Sequence, residues 1–287
     1  MYFIAGITGH VGGAATRQLL AGGKQVRTLA RAPSKAKDFA SQGVEVRQGD
    51  LNDPAALASA LKGVEGAFLL MQPTMTPPPD FSDAKASLAS YTQALAQSPV
   101  PRLVALSSMG SEKTERLGNI TATSLMERAF SGLHFPCAFV RAGSFYENYA
   151  GSVAGAKQSG VYHSFQPVDF PFPAIGTEDI GKLVAELLIT GWTGKKVIEL
   201  GTRVTPNEQA SAIGKAIGRD VKAETLPREA WAHVLQSFGM PPGSTGPYEQ
   251  MMESINTGWI AFGQPGTEHV PATLTLEEFF ARVARSA

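Results

Sequence analysis

The sequence holds one cysteine, Cys137, so an intrachain disulfide framework and a cysteine-based zinc site are both excluded, and a reducing compartment is the fitting one. Neither charge sign is in excess, with 25 Lys+Arg against 25 Asp+Glu. Neutralising phosphates needs a cationic surplus, so the balance argues against a nucleic-acid partner and leaves only a local basic face. No apolar run approaches the roughly 20 residues that a membrane span requires. The five histidines are scattered, with no His-Glu-x-x-His spacing and no paired carboxylate cluster, so no metal is expected. Internal repeats and low-complexity tracts are missing too. A secretory leader would need a basic stretch and an apolar core ahead of the fold, whereas residues 1–5 already read as a strand. A cytoplasmic globular protein is the expectation, and 287 residues suit one large α/β domain or one domain with a smaller lobe.

What is there is a rhythm. Short apolar runs at residues 2–5, 25–29, 44–47, 66–71, 102–106 and 135–140 alternate with amphipathic stretches at 12–20, 34–40, 54–61, 81–96 and 123–131. Runs such as Ala67-Phe68-Leu69-Leu70-Met71 are apolar on both faces, as in a parallel sheet covered by helices on both sides. After Arg141 the rhythm loosens. An aromatic cluster with a helix is expected in 143–160 and a loop over 165–173. A helix follows at 177–188, then a strand at 196–200, a helix at 205–217, a strand at 221–226 and a helix at 228–238. Residues 239–246 are Gly/Pro-rich and read as a loop or hinge, with a helix over 248–257 after them. Thr205-Pro206-Asn207-Glu208 and Thr275-Leu276-Glu277-Glu278 each have the spacing of a reciprocal helix cap.

The chemistry-bearing segment is Gly6-Ile7-Thr8-Gly9-His10-Val11-Gly12-Gly13, directly after the first strand and opening the first helix. Glycines there let the backbone turn sharply and approach a pyrophosphate, which the helix N-terminus receives on unpaired N–H groups. An ordinary glycine-rich βα turn is the alternative, but the strand-turn-helix context that the motif demands is met. Gly6, Thr8, Gly9, His10 and Val11 are therefore candidate cofactor residues. The fold class expected is α/β, a Rossmann-type doubly wound parallel sheet with a smaller C-terminal α/β lobe. Residues 1–150 read as the NAD(P)-binding half and 151–287 as a mostly helical substrate-binding lobe that partly shares the same sheet.

An NAD site carries a carboxylate about 20 residues past the loop, on the ribose 2′-hydroxyl. Here the second strand ends Leu29-Ala30-Arg31-Ala32-Pro33, with Lys35 close behind. A guanidinium at Arg31 can grip a 2′-phosphate, so NADP(H) is favoured over NAD(H). Asp50, followed by Leu51, reads either as a contact to the adenine edge or as the turn or cap residue before the Pro54 helix. Met71-Gln72-Pro73 ends the fourth strand, where backbone would line the riboses.

The spacing G-x-x-G-x-x-G resembles that of extended and atypical short-chain dehydrogenases/reductases. Arg47-Gln48-Gly49-Asp50, Ser131-Gly132-Leu133, the stretch Arg141-Ala142-Gly143-Ser144-Phe145-Tyr146-Glu147-Asn148, and Thr177-Glu178-Asp179-Ile180-Gly181 narrow the resemblance to the NmrA-like family. That family includes NAD(P)H-dependent quinone and dye reductases, plant aromatic-ketone reductases, and regulators that bind NADP without turning it over. The resemblance implies that Phe145, Tyr146 and Asn148 flank the nicotinamide. The chain departs from the wider superfamily in its acid. Four residues beyond each of its six tyrosines stand Gly6, Leu95, Ala150, Val153, Gln166 and Met252, so no Tyr-x-x-x-Lys pair exists. Where some NmrA-like members carry a Lys or His, this chain has Thr121.

Without that acid, the acceptor matters. A simple ketone yields an alkoxide whose conjugate acid is as weak as water, with a pKa of about 16, and needs a proton donor. A quinone yields a phenolate-like anion, pKa about 10, which water can protonate. A small aromatic or quinone-like acceptor, a cationic dye or an activated alkene therefore fits best. Tyr146 and the strand-end Ser107, with Ser108 beside it, are the candidate catalytic hydroxyls, although such serines also satisfy backbone groups. Phe145, Phe165, Phe170, Phe172, Met251, Met252, Trp259 and Phe262 offer aromatic and polarizable walls, or else core packing. The reading is an NADP(H)-dependent oxidoreductase. Its rival is a redox-sensing regulator acting through a protein partner, and the oligomeric state is left open between monomer and homodimer.

Overall fold

The computed structural model describes residues 1–72, 74 and 76–286. The alternating first half folds into β1 (Tyr2–Ile4), β2 (Val26–Ala30), β3 (Glu45–Gln48), β4 (Gly66–Leu70), β5 (Leu103–Ser108) and β6 (Cys137–Ala142). With Lys195–Leu200 and Glu268–Val270 these make an eight-stranded sheet. Across it the order is Glu268–Val270, Lys195–Leu200, β6, β5, β4, β1, β2, β3. Every pairing is parallel. The Rossmann-type expectation holds, and the chain reverses direction across the sheet between β1 and β4. Such a reversal opens a crevice outside the carboxyl ends of the strands.

Side chains alternate between the faces. Ile4, Phe68, Val104 and Val140 pack under the helices His10–Ala21 and Thr177–Thr190. Phe3, Leu69, Leu103, Ala105 and Phe139 pack under Pro54–Leu61, Ser82–Gln97 and Thr121–Ser131. Both sets are buried, which is why these strands read as unbroken apolar runs. The first-face helices touch through glycine: a Cβ on Gly181 would lie 2.4 Å from Ala14 Cβ. That contact fixes the helix that follows the glycine loop.

Beyond Arg141 the structure holds more strand than the sequence suggests. Phe172–Ile175, inside and just past the expected loop, pairs with Ser144–Phe145 and Thr202–Val204 in a three-stranded sheet. Pro171 and Pro173 hid it, because proline lacks the ladder donor; a four-residue strand tolerates the loss. Glu268–Val270 has no apolar run and escaped notice at the sheet edge. Lys222–Thr225 forms as expected but pairs with Val161–Ser164, not with the main sheet. Both reciprocal caps form: Thr205 N–H donates to Glu208 at 2.7 Å and Thr275 N–H to Glu278 at 3.0 Å, with the return bonds at 3.2 Å each.

Candidate active site

The glycine loop is built by its lack of side chains. Gly6 takes a φ of +65°, a left-handed turn that favours glycine, and its carbonyl accepts the Gly9 N–H at 2.9 Å. A Cβ on Gly12 would meet Gly6 O at 2.4 Å and Ala5 O at 2.6 Å, so the helix can approach the strand end only without one. Gly9 is the N-cap of His10–Ala21 and offers no side-chain cap, and the first turn carries no acidic residue. The first-turn N–H groups and the positive end of the dipole thus face the crevice unclaimed by side chains. Thr8, Gly9 and His10 are exposed there and Val11 is buried.

Arg31 follows β2 and Lys35 lies in the short 3-10 turn Pro33–Ala36. Both are exposed, and among the described residues neither side chain makes a hydrogen bond or ion pair. Asp53, not Asp50, caps the next helix, accepting from Ala55 N–H at 2.9 Å and Ala56 N–H at 3.2 Å. Asp50 instead closes a local turn by accepting the Asn52 N–H at 2.9 Å, and Leu51 is buried. Met71 and Gln72 are half-buried at the end of β4; Pro73 lies outside the described residues.

In the stretch from Arg141 to Asn148, two side chains anchor and three, those of Ser144, Phe145 and Asn148, face a cavity. Buried Arg141 donates to Glu127 at 2.9 and 2.7 Å and pairs with Glu112 at 3.0 Å. Glu147 accepts the Thr177 N–H at 3.1 Å, so its carboxylate sits on the N-terminus of Thr177–Thr190. Phe145 and Asn148 line a cavity of about 160 Å³ with Ser108, Ser144, Tyr248, Met251 and Met252.

The structure places both expected catalytic hydroxyls away from the cavity. Ser107 is 3 % exposed and donates to the Glu127 carboxylate at 2.5 Å, inside the buried Arg141 network. Its neighbour Ser108, on the opposite face of the strand, borders the cavity. Tyr146 is 2 % exposed, does not line the cavity, and packs its ring against Phe279 at 5.6 Å. Burial, with nearby Asp179, pushes its phenol up to about 12. Tyr146→Phe is expected to leave turnover within about twofold of the parent in a steady-state assay, since a hydroxyl outside the cavity cannot act as general acid there. A loss of tenfold or more, with NADPH affinity intact, would restore the phenol to the chemistry.

The expected aromatic wall is divided. Phe145, Met251 and Met252 belong to the cavity above, while Phe170, Phe172 and Phe262 line a second one of about 220 Å³ beside Arg203; the two share Ile255. Phe165 packs on Trp231 at 5.6 Å, and Trp259 lies under Lys113 at 4.7 Å. Thr121 opens the helix Thr121–Ser131. Ser144 and Tyr248 went unmarked in the sequence, where nothing distinguishes them: Tyr248 lies on the helix Gly246–Asn256, which packs closely against the backbone at Gly118. A Cβ at Gly118 would meet Pro247 O at 1.8 Å. Cys137 is fully buried and its thiol is pushed up to about 12, which makes it inert. Among the described residues no group of His, Cys, Asp and Glu could hold a metal ion, and no helix is long and apolar enough to cross a membrane.

A doubly wound parallel sheet with a bare glycine loop at its switch point defines a dinucleotide-binding α/β protein. The chain belongs to the NmrA-like family, whose model matches residues 3–279. It is 30 % identical, over 99 % of its own length and 94 % of the relative's, to a (4-alkanoyl-5-oxo-2,5-dihydrofuran-3-yl)methyl phosphate reductase of Streptomyces griseus. It is 27 % identical to quinone oxidoreductase 2 of Escherichia coli, over 85 % of this chain and 84 % of that one. The crystal structure of an NADPH-dependent quinone oxidoreductase from Escherichia coli complexed with NADPH superposes with a TM-score of 0.81 at 25 % identity, covering 99 % of both chains.

Proposed function

We propose that this protein is an NADP(H)-dependent oxidoreductase that passes a hydride to a quinone-like or other conjugated acceptor. The observation that carries the reading is a row of features along one sheet edge. In order they are exposed Arg31 after β2, the glycine loop after β1, Met71 and Gln72 after β4, and the Phe145 cavity at the ends of β5 and β6. Neighbouring strands lie about 4.8 Å apart, so the row spans roughly 20 Å, which suits an extended dinucleotide. The residues fit that group: Gly12 lets the helix N-terminus sit against the strand end, the uncapped helix offers N–H groups, and the unpaired side chains of Arg31 and Lys35 suit a 2′-phosphate. Met71 and Gln72 would border the riboses, and Phe145 and Asn148 would flank the nicotinamide.

The cofactor supplies the hydride when bound. The chain's own part is to align the acceptor and exclude water with Phe145, Tyr248, Met251 and Met252. In this division residues 1–150 hold the cofactor and 151–287 complete the acceptor's pocket. Among the described residues no Lys, His or carboxylate borders the cavity, whose polar side chains are hydroxyls and one amide. That chemistry suits an acceptor whose product anion needs no strong acid. The relatives' names support this class, since one acts on quinones and the other's substrate carries a ring alkene conjugated to a carbonyl. Neither of those relatives is named as a regulator. The buried, inert Cys137 agrees with a reducing, cytoplasmic setting.

Arg31→Ala tests the cofactor assignment. A charge-assisted hydrogen bond to phosphate is worth about 1.5–3 kcal/mol, so NADPH affinity should fall roughly 10- to 100-fold while NADH affinity stays put. Fluorescence titration reads both, and equal losses for the two cofactors would remove the 2′-phosphate from Arg31.

A further inference from the structure

Resting on the reductase reading above, we propose that Ser144 is a catalytic residue, its hydroxyl donating to the acceptor oxygen on which negative charge develops, with Tyr149 as the positioning residue that fixes the direction of that donation. Three side-chain hydroxyls border the cavity, those of Ser108, Ser144 and Tyr248. Among the described residues only Ser144 has a side chain behind it that sets where its proton points. The Tyr149 phenol donates to Ser144 Oγ at 2.7 Å. With that side of the oxygen occupied by a donor, the serine proton is free to point into the cavity. Both partners are held firmly. Ser144 lies on a strand in register with Ala174, and the Tyr149 ring packs edge-on against Phe172 at 6.4 Å. Burial raises the Tyr149 phenol above its ordinary pKa, so it stays protonated and keeps donating at every working pH.

The chemistry needs such a donor at one moment. A quinone that accepts a hydride, which is two electrons and one proton, becomes a hydroquinone monoanion; a proton from water then completes the hydroquinone. Ser144 keeps its own proton throughout and stabilises the anion while it forms. A cationic triphenylmethane dye behaves differently, because hydride addition to its central carbon gives a neutral product with no oxyanion.

The contrast between these acceptors is the test. Ser144→Ala should lower quinone turnover roughly 10- to 100-fold, the worth of one hydrogen bond to a charged group, and leave dye turnover within about twofold. Tyr149→Phe, which removes one oxygen, should reproduce the split more weakly. Independently of turnover, Ser144→Ala should weaken binding of 4-nitrophenolate, a coloured stand-in for the product anion, about tenfold or more, with NADPH affinity unchanged. Parallel loss with both acceptors would mark Ser144 as merely structural, and unchanged quinone turnover or phenolate binding would overturn the donor role. If the parent protein oxidised NADPH with neither acceptor, the reductase reading would fail, and phenolate binding alone would still decide the role of Ser144.

Discussion

Gly12→Ala is expected to weaken NADPH binding by roughly 100-fold or more, the equivalent of losing at least two charge-assisted hydrogen bonds. The added Cβ would stand 2.4 Å from Gly6 O and 2.6 Å from Ala5 O, both backbone atoms that no rotamer change can move. The helix His10–Ala21 must therefore back away from the strand end, and its first-turn N–H groups leave the pyrophosphate position. It cannot back away freely, because Gly181 holds it against Thr177–Thr190, so thermal stability should fall as well. Gly13→Ala, whose Cβ would meet Ile7 O at 3.1 Å, should cost much less on both readouts. Fluorescence titration with NADPH and a melting curve separate the two effects. Binding by Gly12→Ala at the parent's affinity would mean that the loop does not hold the pyrophosphate.

Glu127→Gln carries the largest expected effect on stability. Its carboxylate is the bidentate partner of Arg141, which is 6 % exposed, and also accepts from Ser107. Removing one member of a buried pair leaves the other charge without its partner, at a cost of about 3–5 kcal/mol. Glu112 at 3.0 Å from Arg141 compensates in part, so the low end of that range applies. A melting temperature lower by roughly 6–10 °C should follow. Replacing Arg141 and Glu127 together by apolar residues should recover only part of the loss, since the buried guanidinium is gone but Glu112 loses its Arg141 partner. If the single variant melted within about 1 °C of the parent, the network would not be a stability element at all.

Much of this was legible in the residues, and the failures have physical causes. The glycine loop and the apolar runs of β1, β4, β5 and β6 identify the sheet because those strands are buried on both faces, whereas β3 is only half-buried and is placed by the alternation with helices. Of the serine pair at the end of β5, Ser108 borders the cavity and Ser107 does not, a difference that strand parity already encodes. Ser107 shares a face with Leu103 and Ala105, which look toward the helix that carries Glu127, while Ser108 shares the phase of Val104 and faces the other way. The tyrosines are harder. Tyr146 opens the 3-10 turn Tyr146–Tyr149, where the two-residue alternation of a strand ends, so closeness to Phe145 in sequence says nothing about direction. Tyr248 and Ser144 meet only through tertiary contacts that no local pattern encodes. The family resemblance carried the Arg141–Asn148 stretch as one unit, and the structure divides it between anchors at Arg141 and Glu147 and cavity walls at Ser144, Phe145 and Asn148.

The central claim is hydride transfer from NADPH to a conjugated acceptor, and a stopped-flow record of reduced-nicotinamide absorbance tests it most directly. Purified protein is mixed with NADPH and a small panel of quinones, with NADH in parallel and protein plus NADPH alone as the binding control. Oxidation is expected to depend on the protein, to proceed with quinones and to run faster with NADPH than with NADH. Tight NADPH binding with no oxidation across quinones, dyes and enones would contradict that claim.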